Sequence, residues 1–166
     1  FKISADKGNT KAMMIYAMLT ASGNGIPMNK KEAFKYFKLC ADKGDPDAMF
    51  HYATMCKEDE QNFNEYVRYL KMAADGNTEA MSQYANLLAT GHGVTMDLQK
   101  SLHYFKLLAD RGDALSMYNY AIGIKGKNDK EYAYYLKMAA DKNHYDAIYT
   151  YAIALINGDG VPVNME

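Results

Sequence analysis

The chain has no tryptophan, three prolines and two cysteines among its 166 residues. Two cysteines cannot supply a disulfide framework. Together with the lack of any Asn-x-Ser/Thr glycosylation site, they point to a reducing compartment and favour the cytoplasm, while the oxidising lumen of the endoplasmic reticulum stays open as the alternative. An excess of one charge is also missing, with 19 basic residues against 20 acidic ones and a pI of about 6.5. Proteins that hold phosphate backbones carry a basic stripe, so nucleic acid is excluded as the expected partner. Long hydrophobic runs are absent too. The longest runs from Ala12 to Ala21, is interrupted by Thr20, and is about half of a membrane span.

What is abundant is tyrosine (15), methionine (12) and repetition. "AMMIYA" at 12–17 returns as "AMFHYA" (48–53), "AMSQYA" (80–85), "SMYNYA" (116–121) and "AIYTYA" (147–152). Between these copies runs a second phrase, "YFKLCADKG" (36–44), "YLKMAADG" (69–76), "YFKLLADRG" (104–112) and "YLKMAADKN" (135–143), and the chain opens inside it with "FKISADKG". Tyr16, Tyr52, Tyr84, Tyr120 and Tyr151 mark the copies, and the intervals between them alternate between long and short. Two repeats therefore make one super-repeat, which leads from Tyr16 to Tyr84 and from Tyr84 to Tyr151. Periods of this length belong to helix–turn–helix arrays.

Both phrases have helical periodicity. Ala12, Met13, Tyr16, Ala17 and Thr20 fall on one face of a helix, called A. Phe37, Cys40 and Ala41, with Ala33 or Phe34, do the same for a helix B. Each B phrase stops at Gly8, Gly44, Gly76, Gly112 or Asn143, residues that tolerate the left-handed conformation closing a helix. Pro27, Pro46 and Pro162 stand only outside helices or at their start. Neither helix can bury its apolar face alone, so the units must stack.

The A–loop–B order, the Ala-x-x-x-Tyr-Ala core, the Gly-x-Gly-Val loop and the Lys-x-Ala-Ala-Asp-Lys-Gly ending resemble the Sel-one-like repeats, relatives of the tetratricopeptide repeats. The resemblance runs over the whole chain. It departs where the family often has Leu-Gly and this chain has Tyr-Ala, and where the family has Trp-Tyr early in helix B. It implies an all-α, right-handed α-α superhelix: one solenoid over 1–166, with full repeats at 9–44, 45–76, 77–112 and 113–143 and partial ones at 1–8 and 144–166. Phe1 falls inside a helix B and Glu166 stops before one, so the array is expected to continue on both sides, with open ends prone to end-to-end self-association.

Three stretches look at first like phosphate loops: "SGNGIP" (22–27), "TGHGVT" (90–95) and "NGDGVP" (157–162). A nucleotide loop needs Gly-Lys-Ser/Thr after a strand, or a third glycine within a βαβ unit, and neither occurs here. Their first glycines, Gly23, Gly91 and Gly158, follow one another at the interval of the super-repeat. They read as turns between helices A and B.

Chemistry is not expected elsewhere. His51, His92, His103 and His144 occupy unrelated repeat positions without metal-ligand spacing. Cys40 and Cys56 sit in columns otherwise filled by apolar side chains and read as core residues. Glu58, Asp59 and Glu60 read as a solvated loop. No nucleophile–base set, cofactor site or metal site is assembled, so no enzyme is expected. Lys2, Lys38, Lys71, Lys106 and Lys137 each precede an aspartate by four positions: Asp6, Asp42, Asp75, Asp110 and Asp141. The lysines read as a solvated outer face. The aspartates sit poorly at a helix C-terminus and are expected to face the N-terminus of the next helix A.

The information lies in the columns that vary: Met14/Phe50/Ser82/Tyr118/Tyr149 and Met18/Thr54/Asn86/Ile122/Ile153. One helical turn apart, they share a helix A face distinct from the core face. By the resemblance this face lines a concave groove that grips a peptide or helix, making the chain a protein-binding scaffold or adaptor. One alternative is a structural spacer or self-associating segment. Another follows from secreted relatives, with a disulfide-linked cysteine pair per repeat, that are associated with β-lactams. Two cysteines argue against that.

Overall fold

The computed structural model describes residues 1–57 and 60–161. The acidic run from Glu58 and the Pro162 position therefore lie wholly or partly outside the described residues. Among the described residues ten α-helices follow one another: α1 (Lys2–Asp6), α2 (Thr10–Ser22), α3 (Lys30–Ala41), α4 (Pro46–Lys57), α5 (Phe63–Ala73), α6 (Thr78–Thr90), α7 (Leu98–Asp110), α8 (Ala114–Ile124), α9 (Asp129–Asp141) and α10 (Tyr145–Asn157). A 3-10 turn, Glu60–Asn62, precedes α5. The even-numbered helices are the A phrases and the odd-numbered ones the B phrases, and no strand occurs among the described residues. The chain divides into two compact units, Phe1–Tyr84 and Ala85–Glu166. Within the first, α2 packs on α1 and α3, α3 on α4, and α4 on α5. Within the second, α8 packs between α7 and α9, and α9 against α10.

The repeated columns are the core. Ala17, Ala53, Ala85 and Ala121 are fully buried, and Met13, Met49, Met81 and Met117 nearly so. The small alanines let neighbouring helices approach, and the methionines fill the irregular space between them. Cys40 and Cys56 are both buried and not joined in a disulfide, and burial pushes the Cys40 thiol up, as suits an inert core residue. The last copy of the methionine column departs from the pattern, because Ile148 on α10 is 44% exposed.

Helix ends follow local chemistry. The residue after each B-ending glycine caps the next helix A. Asn9, Asp45, Asn77 and Asp113 accept from the backbone N–H three positions on at 2.7–2.9 Å, and His144 does so through Nδ1 at 3.3 Å. The N-terminus of helix A is therefore already satisfied, and this corrects the expected role of the B-helix aspartates. Three of the five reach forward to the following helix B instead. Asp42 accepts from the Tyr69 hydroxyl at 2.7 Å, Asp110 accepts from Tyr135 at 2.6 Å, and Asp6 accepts from Tyr36.

The lysine ladder is corrected as well. Lys38 lies 5.2 and 5.3 Å from the ring centres of Tyr52 and Tyr69, and Lys106 lies 5.0 and 5.5 Å from those of Tyr120 and Tyr135. Lys106 also pairs with Glu131, and Lys2 with Glu32 at 3.0 Å. The tyrosine pairs meet edge to face, with centroids 4.6–5.1 Å apart for Tyr52–Tyr69, Tyr120–Tyr135 and Tyr16–Tyr36. Each of these B helices thus sends a lysine and an aspartate into the tyrosine pair of the next A–B hairpin. This buckle joins repeats through cation–π contacts and charge-assisted hydrogen bonds. It explains much of the tyrosine content and leaves Lys71 and Lys137 as exposed members of the ladder.

Gly8, Gly44, Gly112 and Asn143 have the expected positive φ, but Gly76 does not. A side chain at Gly76 would stand 2.5 Å from Cγ of Pro46, so glycine is needed there for close approach.

Candidate functional site

The Gly-x-Gly stretches form turns. Gly23 and Gly158 adopt the left-handed conformation that ends α2 and α10, at φ 72° and 76°. The Asn29 N–H returns to the Thr20 carbonyl at 2.8 Å, and the Asp97 N–H to the Leu88 carbonyl at 2.9 Å, closing both loops the same way. Asn29 and Asp97 then cap α3 and α7 through their side chains. The outcome is to set helix B against helix A and open a cleft beside it.

Each unit has such a cleft. The first, of about 430 Å³, lies between the C-terminal halves of α2 and α4 with α3 behind them, and Phe37, Met18, Thr54 and Met55 line it. The second, of about 300 Å³, is built the same way from α6, α7 and α8, with Phe105, Asn86, Ile122 and Gly123 in the corresponding places. Each of these pairs is separated by one super-repeat, as are Ala21 and Ala89, which line the two clefts. The backbone frame is repeated and its lining varies.

The variable columns divide accordingly. Met18, Thr54, Asn86 and Ile122 line the clefts, and so does Tyr118. Met14, Phe50 and Ser82 are half-buried beside them. Phe50 meets the ring of His51 with centroids 5.8 Å apart, and Tyr118 stacks on His144 at 5.0 Å, so these aromatics also have packing roles. On α10, Tyr149 is 71% exposed and Ile153 half-buried.

Sequence reasoning missed several lining residues. His51 lies flat on Phe37 at 5.0 Å, and burial lowers its pKa. Asn119, Leu98, Leu102 and Lys127 belong to the second cleft. The super-repeat offset carries His51 to Asn119 and could have found that pair. Gly123 lies within α8, and a side chain there would stand 2.2 Å from Leu102 Cδ2, so its absence leaves room for Leu102. No group of three or more His, Cys, Asp or Glu side chains able to hold a metal occurs among the described residues. None of the described helices is long and apolar enough to cross a membrane.

The Sel1 repeat model matches residues 10–45, 78–113, 114–144 and 146–166, well over half of the chain. The chain belongs to the Sel1 repeat family. Its fold is similar to that of a Sel1 repeat protein from Oxalobacter formigenes, at TM-score 0.86 and 20% identity, over 94% of this chain and 68% of that one. It is equally similar, at TM-score 0.86 and 22% identity, to a protective antigen of uropathogenic Escherichia coli strains displaying an SLR fold, over 96% of this chain and 36% of that one. At such identities the likeness shows the fold alone, an all-helical repeat solenoid. Among curated proteins none matches the chain. Sel1 repeats generally serve as protein–protein interaction scaffolds and are typically non-enzymatic.

Proposed function

We propose that this array is a scaffold that holds a polypeptide partner in the clefts between successive A helices and performs no chemistry of its own. One observation carries the reading. The core columns are nearly constant from repeat to repeat, while the same cleft recurs one super-repeat later with a changed lining. A repeated frame with a varied lining is what selective recognition along a solenoid requires.

The test pairs two double variants. Thr54→Arg with Ile122→Arg places a bulky charge in both clefts, whereas Lys71→Glu with Lys137→Glu alters exposed B-helix positions that neither cleft uses. Affinity capture from native lysate is expected to lose its partners with the arginine variant and keep them with the glutamate variant, while circular dichroism shows both to be helical. The reverse pattern would move recognition to the B-helix surface.

A second reading, self-association, draws on α10, where Tyr145 is 86% exposed, Tyr149 71% and Ile156 65%. Such a face suits packing on another helix. Light scattering over a hundredfold range of concentration is expected to show reversible association that Tyr145→Ser with Ile156→Ser removes. A constant monomer mass would end this reading.

A further inference from the structure

The polar groups of the two clefts differ in how far the chain already uses them. In the first, the Thr54 hydroxyl donates to the His51 carbonyl at 2.8 Å, and the His51 ring is stacked on Phe37. In the second, the side-chain amides of Asn86 and Asn119, brought together from α6 and α8, make no hydrogen bond to any described residue. Lys127 lines the same cleft and is likewise unpaired among the described residues. Its basic neighbour Lys125 is committed to the ring of Tyr132, 5.6 Å away.

Among the described residues, no acidic side chain belongs to that lining. The nearby aspartates are occupied by backbone donors: Asp97 accepts from the Lys100 N–H at 2.9 Å, and Asp129 from the Gly126 N–H at 3.1 Å. The cleft therefore offers an apolar floor of Leu98, Phe105 and Ile122, two amides with donors and acceptors to give, and the ammonium of Lys127, which has no ion-pair partner among the described residues.

We propose that the α6–α7–α8 cleft recognises a short polypeptide segment in which an apolar side chain is closely followed by Asp or Glu. The apolar side chain enters against Phe105, the Asn86 and Asn119 amides take the segment's backbone N–H and carbonyl groups, and Lys127 pairs with the carboxylate. The first cleft offers no such set: its Thr54 hydroxyl is engaged inside the chain, its His51 ring is stacked on Phe37, and no asparagine amide lines it. This inference rests on the polypeptide-scaffold reading above and adds the chemistry of the partner to it.

The experiment pans a phage-displayed library of random dodecapeptides on the full chain, then measures selected synthetic peptides by fluorescence anisotropy. Peptides pairing an apolar residue with an acidic one within a few positions are expected to be enriched. Lys127→Gln is expected to weaken them about threefold to fivefold, the upper part of the range for a solvent-accessible ion pair, and Lys127→Glu about tenfold. Raising the salt should weaken binding to the parent chain and have little effect on the Lys127→Gln variant. Asn119→Leu should weaken acidic and neutral peptides alike, because it removes backbone recognition rather than charge.

Enriched peptides without acidic residues, or equal binding by the parent and the Lys127→Glu variant, would overturn the acidic partner while leaving the scaffold reading intact. If no peptide is enriched, or if binding ignores Asn119→Leu, Ile122→Arg and Thr54→Arg alike, the scaffold reading fails with it.

Discussion

The clefts of the first and second units are copies of one frame, and what differs between them separates the residues that build the frame from those that line it. Phe37 and Phe105 hold the same place with 3% and 4% exposure, and Ala21 and Ala89 recur beside them. Around this fixed floor, Met18 becomes Asn86, His51 becomes Asn119, Thr54 becomes Ile122 and Met55 becomes Gly123. None of these changes touches the buried alanine and methionine columns. The frame is therefore copied while its lining changes.

The largest expected effect tests whether the floors are equivalent. Phe37→Ala and Phe105→Ala should each destabilise by about 3–5 kcal/mol, as for other large buried aromatics. Urea unfolding followed by circular dichroism would measure both. A loss below about 1 kcal/mol in only one variant, far under the usual range for such a truncation, would mean that the two frames are not copies in energetic terms.

The same comparison shows how much could be read from the sequence. Repeats, helices, turns and core columns were legible, because burial and left-handed turns restrict residue type at fixed spacing. The buckle was not. Within one helix Lys38 looks solvated and Asp42 looks directed at the next helix A, whereas their partners Tyr52 and Tyr69 lie on the next hairpin, visible only once helices pack. The clefts were half legible. The variable columns contributed Met18, Thr54, Asn86, Tyr118 and Ile122, but Lys127 comes from the loop after α8, where no repeat column exists. Capping by His144 was hidden for a related reason, since histidine replaces the Asn or Asp of the other repeats.

The buckle supplies the next prediction, now comparing repeat junctions. Lys106 holds the Glu131 carboxyl below its ordinary range, and Glu131 in turn holds the Lys106 ammonium above its own. Burial and the hydrogen bond to Asp110 push the Tyr135 hydroxyl up to about 12. A lowered acid stabilises above its unfolded pKa of 4.5 and loses that contribution as pH falls through the folded value. The raised lysine and tyrosine stabilise fully below their unfolded values of 10.5 and 10.0, and lose that contribution as pH rises through the folded ones. The junction should therefore be firmest between about pH 5 and 10. Glu131→Gln should cost about 0.5–1 kcal/mol near neutrality, a modest figure because both partners are partly solvated. Thermal melts from pH 3 to 11 should show the variant's deficit shrinking at the acid end. A deficit independent of pH would mean that Glu131 acts through packing alone.

A smaller change of opposite sign compares the repeats at one core column. Ala12, Ala48, Ala80 and Ala147 are matched by Ser116, whose hydroxyl is fully buried and lacks a partner among the described residues. Ser116→Ala should raise stability by about 0.5–1 kcal/mol, by removing an unsatisfied polar group and improving helix propensity. A loss on urea unfolding would reveal a role for that hydroxyl in the second unit that its counterparts do not share.

The last comparison takes positions within the first Gly-x-Gly loop, where the smallest effect of all is expected at Asn24, between two glycines. Gly23 and Gly25 both have positive φ, at 72° and 76°. A side chain at Gly25 would meet nothing within 4 Å, so Gly25→Ala should cost only the backbone strain, on the order of 1 kcal/mol. At Gly23 the added carbon would come within 3.2 Å of Met28 Cβ, so Gly23→Ala should cost more than Gly25→Ala by the displacement of Met28. Asn24 between them is exposed, and Asn24→Ala should change stability by no more than about 0.5 kcal/mol. Gly91 repeats the Gly23 environment, with Met96 Cβ at 3.3 Å, so Gly91→Ala should match Gly23→Ala in the other unit. Urea unfolding of the four variants gives the order, and only the glycine positions should register. A clear loss from Asn24→Ala would show that the loop does more than turn the chain, and would reopen the ligand role that its two glycines first suggest.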